Sequence, residues 1–232
     1  MSKEKMSFAT PFMASAAEES REFIEAHLKR KQKELQQLPP DADPLERARI
    51  QLDIAEAQVG LNQGAQAWIN ARAAFQVFLD HEDWEMAVRA ADALYQTGQP
   101  ASLQALGHGV WLAVTFPVDP NLTLQMLSYI IDETPPNADG AAVAAVTGRY
   151  IADLRASDED YENLEFLTRQ QLVQVAERHS NVSNQEELDA WLDRLELRDP
   201  AVFLKRLALV VGAVVGEEWW FDRDQLRAKL PE

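Results

Sequence analysis

Residues 64–98, GAQAWINARAAFQVFLDHEDWEMAVRAADALYQTG, carry the clearest structural signal in the chain. Apolar and alanine residues recur every three or four positions on both sides of the central HED sequence, a period typical of helices with one buried side. Asp83 is well suited to cap the start of the second helix, and Gly98 is suited to end it. The stretch therefore predicts a pair of helices joined by a short loop.

Helix-start signals of one kind recur along the rest of the chain. An Asp-Pro pair occurs at residues 43–44, 119–120 and 199–200. The aspartate can accept hydrogen bonds from the first free N–H groups, and proline suits the first helical position. Asp139 is expected to cap a further helix. The predicted helices span residues 18–38, 44–62, 65–79, 84–98, 100–115, 121–132, 140–154, 158–179 and 184–195, and a tenth begins at residue 200.

The two ends of the chain have weaker patterns. Residues 1–15 lack helical periodicity and are expected to form a flexible leader. Residues 207–215 are rich in valine, which favours a strand, although their spacing also fits a buried helix. We therefore predict an all-α array of about ten antiparallel helices, similar to a helical repeat, over residues 16–200. Residues 201–232 are expected to add a C-terminal helix, with a short irregular or strand segment as the alternative, and an aromatic tail packed on the array.

The composition excludes several classes of site. The chain has 232 residues, enough for one large domain or two small ones with a core that needs no disulfide or metal. It contains no cysteine, so a disulfide, a zinc–thiolate site, an iron–sulfur cluster and a cysteine nucleophile are all excluded. The net charge of −16 argues against binding to a nucleic-acid backbone, which needs clustered basic residues.

The acidic excess lies in the middle of the chain. Residues 40–200 contain 27 acidic residues and ten lysines or arginines, whereas the segments on either side are nearly neutral. All ten are arginines, since no lysine occurs between Lys33 and Lys205. Arginine can form two parallel hydrogen bonds to a carboxylate, so we expect some of the ten to lie in ion-pair networks. Compositional bias is the alternative explanation.

Signals for export or membrane insertion are not evident in the sequence. Residues 1–17 contain no apolar run of the kind found in signal peptides. The longest apolar runs, residues 109–116 and 207–215, are about half as long as the ~20 residues that a spanning helix needs. We therefore expect a cytoplasmic protein without a membrane partner.

The histidines, glycines and serines do not fall in known catalytic or cofactor motifs. The four histidines are far apart, and the densest set of potential metal ligands, residues 81–83 (HED), is better explained as a helix junction. Residues 107–109 (GHG) lack the third glycine or the lysine of a phosphate-binding loop, and no Gly-x-Ser-x-Gly sequence occurs. We therefore expect no cofactor, no metal and no enzyme activity, with a catalytic set assembled from distant residues left open.

Residues 47–114 resemble a degenerate tetratricopeptide-type helical repeat. Gly64, Ala71, Phe75 and Phe78 follow the small–small–aromatic order of the family's helix pair. A further first helix is similar at Trp84, Ala87, Ala91, Leu94, Tyr95 and Gly98. The interval from Gly64 to Ala71 is about two residues longer than in the family, and the expected proline is missing. The resemblance implies a concave surface that binds a peptide or protein and performs no catalysis.

Two short segments are candidate partner-binding sites. The first consists of Trp219, Trp220 and Phe221, which we call the aromatic triplet. It lies between acidic residues and next to an arginine, a composition typical of interface hot spots. The alternative is that the rings close the core of the last helices, with Asp222 or Asp224 capping a short final helix.

The second candidate is the acidic run at residues 158–165. Within it, Asp158, Asp160 and Glu162 would steer a basic partner by long-range attraction and give fast, salt-sensitive association. The alternative is a solvated helix start, where acidic residues interact favourably with the helix dipole.

These patterns favour a non-catalytic protein-interaction module, acting as an accessory, assembly or chaperone-like factor on a protein or peptide partner. An integral subunit of a larger cytoplasmic complex is the first alternative, because neighbouring subunits would then cover the acidic surface. A metal-independent enzyme is the second. The sequence leaves the partner and the oligomeric state open, because a helical array indicates a mode of binding and no particular ligand.

Overall fold

The computed structural model describes residues 9–230, with side chains from residue 18 onward. This part of the chain consists of α-helices and loops and contains no β-strand, which confirms the all-α prediction. The helices are α1 (Ala9–Gln37), α2 (Pro44–Gly60), α3 (Gly64–Asp80), α4 (Trp84–Gln96), α5 (Ser102–Thr115), α6 (Pro120–Glu133), α7 (Gly140–Arg155), α8 (Tyr161–Ser180), α9 (Gln185–Arg194), α10 (Pro200–Val215) and α11 (Arg223–Arg227).

The Asp-Pro pairs start helices as predicted. The carboxylates of Asp43, Asp119 and Asp199 accept hydrogen bonds from the backbone N–H groups two residues later, at 2.8–3.0 Å. The following prolines occupy the first helical positions of α2, α6 and α10. Asp83 caps α4 through the N–H of Met86. These caps satisfy N–H groups that would otherwise lack partners.

Asp139 differs from this pattern. It precedes α7, but its side chain makes no capping hydrogen bond. Its carboxylate oxygens instead lie 2.7 Å from Nη2 of Arg206 and 3.2 Å from Nε2 of His179. Asp139 therefore links the start of α7 to α8 and α10, and the prediction that it caps its own helix is wrong.

The N-terminal end differs from the sequence-based expectation, and the C-terminal end agrees with the first of the two expectations. Helix α1 begins at Ala9, so residues 9–15 of the predicted leader are helical, and residues 1–8 lie outside the described part. Residues 207–215 belong to α10, so the strand alternative is wrong. The valines fit a helix because Val211 and Val215, four positions apart, are buried on the same side.

The array has two faces, which are built from alternate helices. Consecutive helices from α1 to α8 pack as antiparallel neighbours, and α4 also contacts α2 and α6. A groove lies between α6 and α8 and is lined by residues of both helices. We call the surface formed by α2, α4, α6 and α8 the even face. Helix α10 packs on α5 and α7, and residues 216–230 continue across α3 and α5. Together they cover the odd face, formed by α3, α5 and α7.

The main core is rich in small residues, which let the helices approach closely. Alanines such as Ala71, Ala91 and Ala144 are completely buried in it. Gly107 of α5 faces the end of α10, where an added Cβ would lie only 2.5 Å from Cγ2 of Val215. A glycine is therefore required for α10 to lie this close to α5. A smaller apolar cluster joins α1 to α2.

Candidate functional site

The aromatic triplet packs against the chain's own helices α3 and α5. The ring of Trp220 stacks on the imidazole of His108 at 4.3 Å and meets the ring of Phe75 edge-on at 5.5 Å. The other two rings of the triplet contact the indole of Trp111, at 6.1 and 5.3 Å. All three rings are half-buried against the main core. The structure thus places the triplet where the core alternative expects it, with inner faces that a partner cannot reach.

His108 holds the backbone of this segment. Its Nε2 accepts a hydrogen bond from the N–H of Trp220 at 3.0 Å, and its Nδ1–H donates to the carbonyl oxygen of Gln104 at 2.7 Å. Both bonds together require a neutral ring with its proton on Nδ1. Burial lowers the pKa of His108 to about 4, and the positive charge of Arg72 acts in the same direction. His108 therefore has a structural role, since it binds the backbone of the C-terminal segment.

An arginine lies over a ring face of each tryptophan in the triplet, Arg72 of α3 over Trp220 and Arg223 over Trp219. The guanidinium carbon of Arg72 lies 4.4 Å from the ring centre of Trp220, and that of Arg223 lies 4.1 Å from the ring centre of Trp219. Contacts between a cation and an aromatic face stabilise by about 0.5–2 kcal/mol each. The two tryptophans thus contact guanidinium groups as well as the rings of α3 and α5, so part of their ring surface is already occupied within the chain.

The acidic run lies at the start of α8, in a different part of the array. Asp158 and Glu162 are exposed to solvent. Asp160 is held locally, since its Oδ2 accepts a hydrogen bond from the Ser157 hydroxyl at 2.8 Å. Because the aromatic triplet lies on α3 and α5, the structure does not bring the two predicted segments together in one site.

A polar network on the even face is not anticipated by the sequence motifs. It begins between α2 and α4, where Nη2 of Arg89 donates to the carboxylate oxygens of Glu56 at 2.8 and 3.2 Å. Further along α4, Asp92 accepts hydrogen bonds from Gln96 at 2.8 Å and from Gln125 of α6 at 2.9 Å. The network thus connects three even-numbered helices through paired polar side chains.

The network ends in two tyrosines between α4 and α6. The ring centres of Tyr95 and Tyr129 are 4.7 Å apart, with the rings tilted by 40°. The hydroxyl of Tyr95 donates to Oε1 of Glu133 at 2.8 Å, and the hydroxyl of Tyr129 accepts a hydrogen bond from Gln125 at 2.9 Å. We call Tyr95, Tyr129, Glu133 and the neighbouring Asp132 the tyrosine–carboxylate site.

The pKa values of these groups reflect a desolvated and negative environment. Burial raises the pKa of Glu56 and of Asp92 above their ordinary values. Burial also raises the pKa of Tyr95 and of Tyr129, and the carboxylate of Asp132 adds to the rise at both. Burial disfavours a charge of either sign, whereas the part of the pKa rise at Tyr95 that comes from Glu133 and Asp132 reflects a negative potential, which favours a cation.

The spacing of residues in the sequence indicates part of the even-face network. Arg89, Asp92 and Gln96 are three or four positions apart on α4, which places them on one side of that helix. Gln125 and Tyr129 are four positions apart on α6. The spacing does not show that these two sides face each other, because that depends on how α4 and α6 pack.

The described residues contain no group of three or more histidine, aspartate or glutamate side chains arranged to hold a metal ion. The even-face carboxylates accept hydrogen bonds from arginine, glutamine and tyrosine, an arrangement that holds their charges in fixed positions. Such fixed carboxylates beside tyrosine rings can bind a cationic group through charge, hydrogen bonds and ring faces. None of the described helices combines the length and the apolar character needed to cross a membrane.

The fold defines a class of protein: an all-α helical array with one face covered by its own C-terminal segment and one face that no described residue covers in this way. No family model matches this chain, and no curated protein or solved structure matches it either. Function is therefore inferred from the chemistry of the two faces.

Proposed function

We propose that this protein is a non-catalytic protein-interaction module of the cytoplasm, related in architecture to tetratricopeptide-type arrays. Its even face binds a basic segment of a partner polypeptide. The tyrosine–carboxylate site receives a lysine or arginine side chain of that segment. Residues 40–200, which we call the acidic block, then act as a docking surface for a protein, with no role for nucleic acid or a membrane.

The observation that carries the proposal is the difference between the two faces. Helix α10 and residues 216–230 cover the odd face through helix packing and aromatic contacts. The even face has no comparable cover from the described residues, and its grooves between α2 and α4 and between α6 and α8 are open to solvent. A partner that binds along the array therefore meets the even face.

The tyrosine–carboxylate site has the chemistry to hold a cationic side chain. A guanidinium or ammonium group over the ring of Tyr95 or Tyr129 gains about 0.5–2 kcal/mol. Glu133 and Asp132 supply carboxylates for charge-assisted hydrogen bonds to the same group. The net charge of −16 adds a long-range attraction that speeds association with a basic partner.

Two double variants that remove equal charge test this proposal. Asp132→Asn with Glu133→Gln neutralises the tyrosine–carboxylate site. Glu217→Gln with Glu218→Gln neutralises two exposed residues beside the covered face. The probe is a fluorescein-labelled peptide in which lysine and arginine alternate with alanine, and its anisotropy is measured at low and high salt. We expect the first variant to bind about tenfold more weakly than the unmodified protein, and the second to bind within about twofold of it.

Because both double variants remove the same charge, comparing them distinguishes binding at the tyrosine–carboxylate site from attraction by net charge alone. If both double variants weaken the peptide equally, binding depends only on net charge and the proposal fails. Absence of binding by the unmodified protein at low salt also contradicts it. A natural partner isolated from a native extract should show the same order of affinities.

A further inference from the structure

A large cleft lies at the end of the array, between α7, α8, α9 and α10. Its volume is about 580 Å³, and one side is open to solvent. Sites that hold small organic groups have volumes of roughly 300–1,000 Å³ and mainly apolar linings. We call this cavity the α9 cleft. We call the apolar part of its lining the floor, which includes Val146, Leu172, Leu188, Leu192 and Phe203.

Three arginines line the rim of the α9 cleft, and two of them are paired. Arg149 lies 3.5 Å from a carboxylate oxygen of Glu165, and Arg198 lies 2.9 Å from one of Asp189. Arg169 lines the same cleft and is exposed, and it forms no hydrogen bond or ion pair with any residue that the structure describes. The rim thus presents one guanidinium group without a partner.

Arg169 differs in this respect from the other arginines of the acidic block. The other nine each contact a carboxylate, a backbone carbonyl oxygen, or a side-chain amide or hydroxyl oxygen. A ligand carboxylate can bind Arg169 without breaking an existing pair. Asp153, a rim carboxylate, accepts a hydrogen bond from Tyr161 and is exposed to water, which weakens its repulsion of an anion.

We propose that the α9 cleft binds an apolar group that carries a carboxylate. The carboxylate lies at Arg169, and the apolar part rests on the floor between Leu188 and Leu192. This site is separate from the even face and does not depend on the function proposed for that face. Two sources share this chemistry: a free aliphatic acid, and the carboxyl-terminal residue of a peptide.

Ligand titrations followed by amide NMR test the cleft. The probes are octanoate, N-acetyl-leucine, and N-acetyl-leucinamide, which has the same side chain as N-acetyl-leucine but no carboxylate. We expect saturable shifts at Leu188 and Leu192 with the two carboxylates and much weaker shifts with the amide. Tighter binding of octanoate would identify a free acid as the source, and tighter binding of N-acetyl-leucine would identify a peptide terminus.

Substitutions at Arg169 provide the second half of the test. Arg169→Gln should weaken both carboxylate probes about tenfold, and Arg169→Lys should restore part of the affinity. Arg194→Gln, on α9 but outside the cleft lining, should leave the affinity unchanged. Because Arg169 is exposed and unpartnered, Arg169→Gln should unfold at the same temperature as the unmodified protein. Equal binding of the amide probe, unchanged affinity in Arg169→Gln, or no saturable shift would overturn the proposal.

Discussion

His108 of α5 binds the C-terminal segment through one ring nitrogen, and its other ring nitrogen bonds within α5. One nitrogen accepts from the backbone of Trp220 and the other donates to the backbone of Gln104. Protonation would turn the accepting nitrogen into a donor that faces another donor. The attachment therefore requires a neutral imidazole, and burial keeps the pKa of His108 at about 4.

The lowered pKa of His108 predicts a loss of stability in acid. The unfolded chain binds a proton on this residue near pH 6.5 and the folded chain only near pH 4, so stability falls as the pH decreases between these values. The contribution is about 3 kcal/mol over the whole interval. We expect His108→Gln, which keeps an acceptor, to lose this part of the pH dependence in urea unfolding at about pH 7 and 4.5. Identical pH dependence in both proteins would assign the acid sensitivity to other groups.

Some arginines of the acidic block form ion pairs, as expected, and others bind backbone carbonyl oxygens. Arg89 and Arg198 pair with carboxylates. Arg155 instead donates to the carbonyl oxygens of Ala113 and Val114, at 2.7 and 2.8 Å. These acceptors lie in the last turn of α5, where carbonyl groups have no partner within the helix. A planar guanidinium can reach both at once, which gives a physical reason for arginine at position 155.

At the scale of the helix, α10 packs closely on α5 because residue 107 is a glycine and has no Cβ. A Cβ at Gly107 would lie 2.5 Å from a side-chain carbon of Val215 and 3.4 Å from its backbone nitrogen. Because the valine side chain is short and stiff, the 2.5 Å contact cannot be relieved by moving a flexible chain end, and α10 itself would have to shift. Gly212 belongs to α10, and a Cβ there would have no atom within 4 Å beyond the neighbouring backbone of its own helix. The packing therefore excludes a side chain at position 107 and leaves room for one at position 212.

Alanine at these two positions should change stability in opposite directions. Gly107→Ala should destabilise the protein by about 1–3 kcal/mol, because the added methyl group overpacks the contact with α10. Gly212→Ala should stabilise it by about 0.5–1 kcal/mol, because alanine favours the helix over glycine. Urea unfolding of both variants gives these values. A neutral Gly107→Ala would mean that α10 does not dock closely on α5.

At the scale of the whole molecule, the C-terminal segment closes the odd face. Trp220 contacts the rings of Trp68 and Phe75 on α3 and of His108 on α5, so it joins the last part of the chain to the middle of the array. Phe166 on α8 is a contrasting aromatic residue, since 60% of its surface is exposed. Removal of each side chain therefore probes a covered face and an open one.

Truncation of Trp220 should destabilise the whole array. Trp220→Ala should cost about 2–4 kcal/mol, slightly less than for a fully buried ring because Trp220 is half-buried. Phe166→Ala should change stability by less than about 0.5 kcal/mol. Thermal and urea unfolding measure both. If Trp220→Ala left stability unchanged and removed binding of a partner, the ring would be an interface anchor, as the partner-binding hypothesis from the sequence holds.

Local sequence was sufficient to predict the helices and most of their ends. Asp43 and Asp199 accept hydrogen bonds from N–H groups two positions away, so the signal and its effect lie within one turn. The same holds for Asp222, which caps α11 by accepting hydrogen bonds from the N–H groups of Asp224 and Gln225, two and three positions later. The helical class followed from the period of apolar residues, which depends only on neighbours along the chain.

Packing between distant helices decided the rest. Asp139 pairs with Arg206, 67 positions away, instead of capping α7. Trp220 meets His108 across 112 positions, and Tyr95 meets Glu133 across 38. No local pattern encodes these pairs, because each depends on the register between helices, and that register is set by the combined shape of many buried side chains. The helices are therefore a property of short segments, whereas the covered face, the open face and the unpaired Arg169 are properties of the assembled fold.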